Sequence, residues 1–274
     1  MFRQIDVRDG LEMRRGIKGA DILVHLAALG GVPRSLEQPM EYHDVNVSGF
    51  LEVIDAARCV GVGTTVYSSS SSVYGDARTL PQTEANVGTP LSPYAATKRA
   101  NELYASVFAS CYGMRLVGLR YFNVFGPRQR ARGAYTTVIP RWIQALTDGE
   151  PVVIHGDGTT SRDFCYVGNV VDAIQLAAVS RPQAAVYNVA CGNQTSLSDL
   201  FVMLADLIAD RACDPTIRQR EPQFTDFRPG DIRHSCADLT AANAALGYTP
   251  RWHVRAGLRE TVDWYFSRAN GFDS

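Results

Sequence analysis

Continuous apolar runs alternate with segments of helical periodicity along the first half of the chain. Short apolar runs bounded by polar residues are typical of buried strands, and helical spacing between them indicates covering helices. The runs at 22–27, 64–69 and 115–121 predict strands, and the segments at 42–59 and Pro93–Tyr112 predict helices. Strands that are apolar throughout indicate a parallel sheet covered on both faces, a doubly wound α/β fold that binds ligands beyond the carboxyl ends of its strands.

The second half of the chain is less regular and predicts a smaller α/β lobe. Helices are expected near 136–147, 169–179, 197–210, 239–246 and 254–268, with short strands near Val152 and Phe164. The predicted domains are therefore a sheet domain at 1–123, joined by parts of 150–192, and a second lobe at 124–274 that is interleaved with it.

Composition indicates a globular protein that binds small molecules. The chain has 274 residues, 46% of them hydrophobic, and 27 Lys plus Arg against 28 acidic residues give a net charge of -1. Such a balance offers no excess positive charge for nucleic acid or an anionic membrane, and no apolar run is long enough to span one. The six cysteines show no metal-ligand spacing, so reduced thiols and a cytoplasmic location are expected.

Three residues suggest a catalytic group. Tyr94 and Lys98 lie four apart in SPYAATK and share a helix face, and Ser70 falls at a predicted strand end in VYSSSSSVYG. A cation beside a phenol favours the phenolate, so Lys98 together with a second positive charge is expected to lower the pKa of Tyr94 toward that of a useful base. Ser70 would share the hydrogen bond of the substrate hydroxyl. The alternative is an ordinary helix that carries a surface Tyr and Lys.

The order of short motifs along the chain resembles the extended short-chain dehydrogenase/reductase superfamily, and within it the UDP-sugar 4-epimerases. The matching motifs are DVRD, VHLAA, DVNVSG, YSSSSSVYG, SPYAATK, RYFNVFGPRQ, VIP, HGDGTTSRDFCYV, YNVACG and FRPGDIRHSCAD. The segments SRDFCYV and DFRPGDIRHS are most similar to bacterial UDP-N-acetylglucosamine 4-epimerases of surface-polysaccharide pathways. The resemblance implies a Rossmann-like fold, NAD as cofactor, a UDP-sugar substrate, and a homodimer formed through the helices at 42–59 and Pro93–Tyr112.

One departure from the family concerns its opening strand and G-x-x-G-x-x-G turn, which present a helix amino terminus to the NAD pyrophosphate. No such motif occurs in the chain, whose first segment corresponds to the end of the family's third strand. Two βα units are therefore expected to be absent upstream, leaving an apolar strand edge exposed. An internal start in a fragmentary gene is the favoured explanation, and a shortened protein with an impaired cofactor site is the alternative.

The resemblance also assigns site residues. The implied cofactor residues are Asp6, Val7, Leu26, Ala27, Ala28, Asn46, Ser68, Ser69, Tyr94, Lys98, Tyr121 and Phe122. The implied substrate residues are Ser70, Ser71, Tyr94, Asn123, Val138, Pro140, Val153, Ile154, His155, Arg162, Arg228, Asp231 and Ser235. Two arginines suit a diphosphate, because a guanidinium offers a planar fork of donors. Surface salt bridges are the alternative for the arginines, and plain core packing is the alternative for the apolar residues.

The residues after Ser70 favour epimerisation. Related dehydratases and decarboxylases usually place an acidic residue there, whereas this chain has Ser71, Ser72 and Val73. The resemblance also implies a sugar, because galactose-restricted relatives carry a bulky side chain where this chain has Ser235, and a serine leaves room for an N-acetyl group. UDP-GlcNAc and UDP-GalNAc, or the matching uronic acids, are therefore the expected substrates. A UDP-glucuronate 4-epimerase is the first alternative, and an inactive fragment that binds UDP without NAD is the second.

Overall fold

The computed structural model describes residues 2–77, 79–131, 136–180, 184–227 and 232–268. The helices are α1 Gly10–Ile17, α2 Val32–Glu37, α3 Pro39–His43, α4 Gly49–Val60, α5 Pro93–Tyr112, α6 Val138–Asp148, α7 Val167–Val179, α8 Leu197–Ala212, α9 Thr240–Leu246 and α10 Val254–Arg268. The strands are β1 Ile22–His25, β2 Thr64–Ser70, β3 Leu116–Tyr121, β4 Val124–Phe125, β5 Val153–His155, β6 Ser161–Arg162, β7 Cys165–Tyr166, β8 Ala184–Val189, β9 Thr195–Ser196 and β10 Gln223–Thr225.

The main sheet has four parallel strands in the order β1-β2-β3-β8. The predicted Rossmann-like α/β class is confirmed, because parallel neighbours are joined by helical crossovers. Among the described residues β1 pairs with β2 alone, and the side chains of Ile22 and Val24 on it are 44% and 40% exposed. The carboxyl ends of β1, β2 and β3 lie along one edge of the sheet, where the first group of candidate residues is found.

Helix α5 has the predicted bounds, and its ends explain why. The hydroxyl of Ser92 accepts a hydrogen bond from Ala95 N at 3.1 Å, and Pro93 occupies the first turn. Gly113 ends the helix with φ 67°, a left-handed conformation that glycine adopts without steric cost. The spacing of Tyr94 and Lys98 on one helix face is therefore fixed by local sequence.

The single helix predicted at 42–59 is wrong in detail. The structure begins this region with α3 at Pro39, widens it into a π-helical turn at Asp44–Ser48, and continues it as α4. Helix periodicity does not reveal such a turn, which inserts one extra residue and occurs often at functional sites. The π-helical turn contains Asn46, one of the predicted cofactor residues.

The chain divides into two compact units. The first unit comprises Met1–Phe122, Val171–Val189 and Asp238–Thr249, and one of its core clusters packs between α4, α5 and the sheet and includes Phe50 and Tyr67. The second unit comprises Asn123–Val170, Ala190–Ala237 and Pro250–Ser274, and its core includes Trp142 on α6 and Phe201 on α8. The domain boundaries drawn from the sequence stay a prediction.

Within the described ranges, no helix is both long enough and apolar enough to cross a membrane. The same residues contain no group of three or more His, Cys, Asp or Glu side chains that could hold a metal ion.

Candidate active site

Ser70 and Tyr94 meet in the first unit. Ser70 ends β2, and its hydroxyl accepts hydrogen bonds from Ser72 N at 3.2 Å and from Ser72 Oγ at 2.9 Å. The hydroxyl of Ser70 lies close enough to the phenol of Tyr94 to lower the pKa of that phenol. Burial raises the pKa of Tyr94, and the effect of Ser70 offsets only part of this rise. The hydrogen bonds from Ser72 to Ser70 were not predicted from the sequence. Because Ser72 donates both of them, the hydroxyl proton of Ser70 points away from Ser72.

Lys98 is buried beside the same strand end. Its ammonium donates to the carbonyl oxygen of Ser68 at 3.1 Å and to the hydroxyl of Ser68 at 3.2 Å. Burial lowers the pKa of Lys98 to about 8. In the protein alone the pKa of Tyr94 lies above its ordinary value, because burial of the phenol dominates, and the ammonium donates to Ser68. A lowering of this pKa by Lys98 together with a second positive charge stays a prediction. Of the two groups, only Lys98 has a pKa that burial brings toward neutral pH.

His25, at the end of β1, was missed by the sequence reasoning. Its pKa is lowered to about 4 by burial and by the positive charge of Lys98, so the imidazole is neutral at pH 7. The ring packs against Phe50 with a centroid distance of 5.7 Å. The VHLAA motif marked the position, but only the fold brings His25 near Lys98.

The side chain of Asn46 hydrogen-bonds with the backbone of Leu29 and with the side chain of Thr97. Its side-chain oxygen accepts from Leu29 N at 2.7 Å, and its amide donates to Leu29 O at 3.0 Å and to Thr97 Oγ1 at 3.2 Å. Tyr42 also donates to the carbonyls of Gly30 and Gly31. These bonds hold the loop after β1 beside the first turns of α5, so Asn46 supports the predicted cofactor surface through that loop.

The other predicted cofactor residues fall into three kinds. Leu26, Ala27 and Ala28 are exposed just beyond β1, and Ser68 and Tyr121 are buried or half-buried at the same edge of the sheet. Val7 is half-buried in the turn before α1, beside Gly49. Asp6 is exposed and accepts from Arg8, which lowers the pKa of its carboxyl to about 2. Ser69 and Phe122 are buried, and the Ser69 hydroxyl donates to Glu102.

A cavity of about 220 Å³ in the second unit gathers five of the predicted substrate residues. These are Asn123, Val138, Val153, His155 and Arg162, and the cavity is also lined by Thr137, Arg141, Trp142, Phe164 and Leu197. Asn123 adopts φ 30° and donates to Asp163 O at 3.2 Å, while His155 hydrogen-bonds with Thr225 at 2.7 Å. Arginines, an amide and an aromatic wall suit the phosphates and base of a nucleotide.

The remaining predicted substrate residues lie elsewhere. Pro140 and Ile154 are buried in the core of the second unit, and Ser71 lies in the short 3₁₀ turn after β2 in the first unit. Ser235 is 6% exposed, and its hydroxyl accepts from Asp163 N at 3.4 Å. Arg228 and Asp231 lie outside the described residues.

Asp163 organises the second unit from within and was not singled out from the sequence. Its fully buried carboxylate accepts from the backbone N–H groups of Cys191 at 2.8 Å, Gly192 at 3.0 Å and Ala237 at 3.1 Å. Burial raises the pKa of Asp163 to about 6, although these N–H groups favour its ionised form. One carboxylate thus connects three segments that are far apart in sequence, including the one that carries Ser235.

The family profile of the NAD dependent epimerase/dehydratase family matches residues 1–190, well over half of the chain. The chain belongs to this family. The predicted family is thereby confirmed, and NAD as its cofactor with it.

Three relatives show how similar the chain is to particular members. A UDP-N-acetylglucosamine 4-epimerase from Methanobrevibacter ruminantium, solved with UDP-N-acetylmuramic acid, is 38% identical with a TM-score of 0.89, over 97% of this chain and 83% of that one. A UDP-glucose 4-epimerase from Thermus thermophilus, solved with NAD, is 31% identical with a TM-score of 0.82, over 96% and 83%. A UDP-glucuronate 4-epimerase from Thermodesulfobacterium geofontis is 31% identical over 96% of this chain and 78% of its own length.

Proposed function

We propose that the protein is an NAD-dependent UDP-sugar 4-epimerase that interconverts UDP-GlcNAc and UDP-GalNAc. The observation that carries the proposal is the half-buried contact of Ser70 with Tyr94, one helical turn from the buried Lys98, at the carboxyl edge of a parallel sheet. The similarity to a UDP-N-acetylglucosamine 4-epimerase at 38% identity supports the choice of sugar. The cavity in the second unit supports a nucleotide-linked substrate, because arginine and amide side chains line it.

The first unit offers surfaces that fit NAD. Leu26 is 54% exposed although it is apolar and follows a strand, which suits a residue that packs against a flat ring. Lys98 has three N–H donors and gives two hydrogen bonds to Ser68, so it can also donate to a ribose hydroxyl. When bound, NAD would supply the acceptor and donor of the hydride at C4 of the sugar.

The protein's own groups then handle the proton. Tyr94, as the phenolate, accepts the proton of the sugar 4-hydroxyl, and it returns that proton after the 4-keto sugar has turned over. Ser70 holds the 4-oxygen through its hydroxyl, whose orientation is fixed by the hydrogen bonds from Ser72. A positive nicotinamide ring and the Lys98 ammonium both favour the phenolate, offsetting the rise in pKa that burial of Tyr94 causes.

Turnover assays test the proposal. The purified chain is incubated with NAD and, in separate reactions, UDP-GlcNAc, UDP-glucose and UDP-glucuronate, and the 4-epimers are resolved by proton NMR. Conversion of UDP-GlcNAc is expected. Turnover of UDP-glucose without any of UDP-GlcNAc would overturn the choice of sugar, and no turnover of any UDP-sugar would overturn the proposed activity.

UDP-glucuronate 4-epimerisation is the second candidate. The curated relative from Thermodesulfobacterium geofontis, named a UDP-glucuronate 4-epimerase, favours it because the similarity extends over 96% of this chain. The same assay separates the two candidates, since a glucuronate-specific enzyme would convert UDP-glucuronate faster than either neutral sugar.

The proposed assembly is a homodimer formed through α5. Three apolar side chains on this helix, Leu103, Tyr104 and Val107, are 55%, 40% and 53% exposed. Leu103 and Val107 lie four residues apart and so share a face, which forms an apolar stripe typical of an interface. Replacing both with glutamate is expected to give a monomer in light scattering, whereas an unchanged dimer would contradict this interface.

A further inference from the structure

Three polar residues of α5, spaced four apart, hold three consecutive serines at the end of β2. The contacts are Tyr94 with Ser70, Lys98 with Ser68, and Glu102 with Ser69. The first two contacts belong to the residues already given catalytic or cofactor roles. The third contact is a hydrogen bond of 2.6 Å from Ser69 Oγ to Glu102 Oε1. Ser69 is a predicted cofactor residue, but its hydroxyl is turned to Glu102, which has been given no role.

Glu102 is itself held by a buried ion pair. Arg120 donates to it through Nε at 2.8 Å and through a terminal nitrogen at 2.9 Å, and both side chains are almost completely buried. Arg99 approaches the same carboxylate at 2.8 Å from the solvent side. Burial raises the pKa of Glu102, but the hydrogen bonds and charge of Arg120 outweigh it, and the pKa lies below its ordinary value. The carboxylate is therefore a fixed, ionised acceptor.

The same ion pair also holds the segment that follows Ser70. Arg120 donates to the Tyr74 hydroxyl at 3.0 Å and lies over its ring at 4.9 Å, and Tyr74 donates to Asn188 Oδ1 at 2.6 Å. Tyr74 ends the 3₁₀ turn that begins right after Ser70. The ion pair therefore hydrogen-bonds with the chain on both sides of Ser70: Ser69 donates to Glu102, and Tyr74 accepts from Arg120.

We propose that Glu102, paired with Arg120, is a positioning residue that holds Ser70 in register with Tyr94 for proton transfer. The inference rests on the proposed 4-epimerase activity and adds to it a residue that touches neither substrate nor cofactor. Catalytic groups need their geometry held to about 0.5 Å, and small misplacements lower the rate strongly. A buried ion pair joined to both flanks of the serine provides that constraint.

Ser69→Ala tests the inference with the least disturbance, because it removes the hydrogen bond and leaves the ion pair intact. We expect kcat to fall about tenfold while KM for the UDP-sugar changes less than about twofold. The low-pH limb of the kcat profile should also move to higher pH, since the Ser70 hydroxyl lowers the pKa of Tyr94. Arg99→Ala is the matched control, because it removes a half-exposed partner of the same carboxylate, and its kcat should stay within about twofold of wild type.

Glu102→Gln and the double variant with Ser69→Ala complete the cycle. If Glu102 acts through Ser69, adding Ser69→Ala to Glu102→Gln should lower kcat by less than about twofold more. Should Glu102→Gln fail to fold, Ser69→Ala alone decides. A Ser69→Ala protein with wild-type kcat and pH profile would overturn the inference while leaving the activity in place, whereas an inactive wild-type protein would overturn the activity and the inference together.

Discussion

The candidate site of the first unit contains a buried ammonium, whereas the cavity of the second unit is lined by one exposed and one half-buried arginine. Lys98 is 3% exposed and bound to Ser68, and Ser70 contacts Tyr94. In the second unit, Arg141 is exposed and Arg162 is half-buried at the wall of the cavity. Buried groups with shifted pKa values suit proton chemistry, and accessible guanidinium groups suit the capture of an anion. We propose that the first unit carries the reaction and that the second unit binds the nucleotide, a division that substitutions can test.

Tyr94→Phe should have the largest effect and should leave binding alone. Loss of the general base is expected to lower kcat by about 10²- to 10⁴-fold. The affinity for UDP, measured by calorimetry, should stay within about twofold of wild type, because the phenol is not needed to hold the nucleotide. A substantial residual kcat would contradict the role of Tyr94, and a matching loss of UDP affinity would contradict the division.

Lys98→Met tests the cost of burying a cation. The pKa of Lys98 is depressed by burial from 10.5 to about 8, which corresponds to about 3 kcal/mol. Between pH 8 and 10.5 the unfolded state of the wild type binds more protons than its folded state, so its free energy of unfolding rises with pH. Relative to Lys98→Met, the wild type should therefore become more stable by up to about 3 kcal/mol as the pH rises. Urea unfolding across this range measures the difference.

Lys18→Met is the control for that experiment, because Lys18 is the other lysine of the chain and is exposed at the end of α1. Its stability difference from wild type should change far less over the same range of pH. Parallel stability curves for wild type and Lys98→Met would contradict the buried, easily neutralised ammonium.

Arg162→Ala should weaken nucleotide binding without touching the chemistry. A hydrogen bond to a charged group contributes about 1.5–3 kcal/mol, so the Kd for UDP should rise about 10- to 100-fold. The value of kcat at saturating UDP-sugar should change little. An unchanged affinity for UDP would contradict a binding role for Arg162. Arg218→Ala is the control, because Arg218 is a surface arginine that pairs with Asp206 and Asp210.

Ser235→Tyr should change selectivity. A bulky side chain at this position is expected to reduce turnover of UDP-GlcNAc about tenfold or more and to spare UDP-glucose. Ser235 is buried, so Ser235→Ala and a thermal unfolding curve separate crowding of the sugar from a loss of stability. Equal losses with both sugars would contradict a role for Ser235 in admitting the N-acetyl group.

In the first unit, the bounds of α5 could be predicted from the sequence, because local residues determine them. Ser92, Pro93 and Gly113 set both ends of α5, and the spacing of Tyr94 and Lys98 then follows. The π-helical turn at Asp44–Ser48 was not predictable, because it accompanies the bonds of Asn46 to Leu29, which lies 17 residues away. Periodicity reports which face of a helix is buried, and it does not report a bond to a loop.

Long-range contacts explain what sequence reasoning missed in the second unit. Asp163 binds backbone groups 28, 29 and 74 residues away, and no local pattern specifies these partners. Arg141 was likewise overlooked as a cavity residue, although Val138, one turn before it on α6, was predicted. Family resemblance supplied the positions of single residues, and the fold supplied the contacts that give them their properties.

The most direct test of the central claim follows the hydrogen at C4 of the sugar. The protein, NAD and UDP-GlcNAc are incubated in D₂O, and the 4-epimer is examined by NMR. Epimerisation by removal and return of a hydride predicts UDP-GalNAc that keeps protium at C4, with Tyr94→Phe forming almost none. Deuterium at C4, or no UDP-GalNAc from the wild-type protein, would contradict the account.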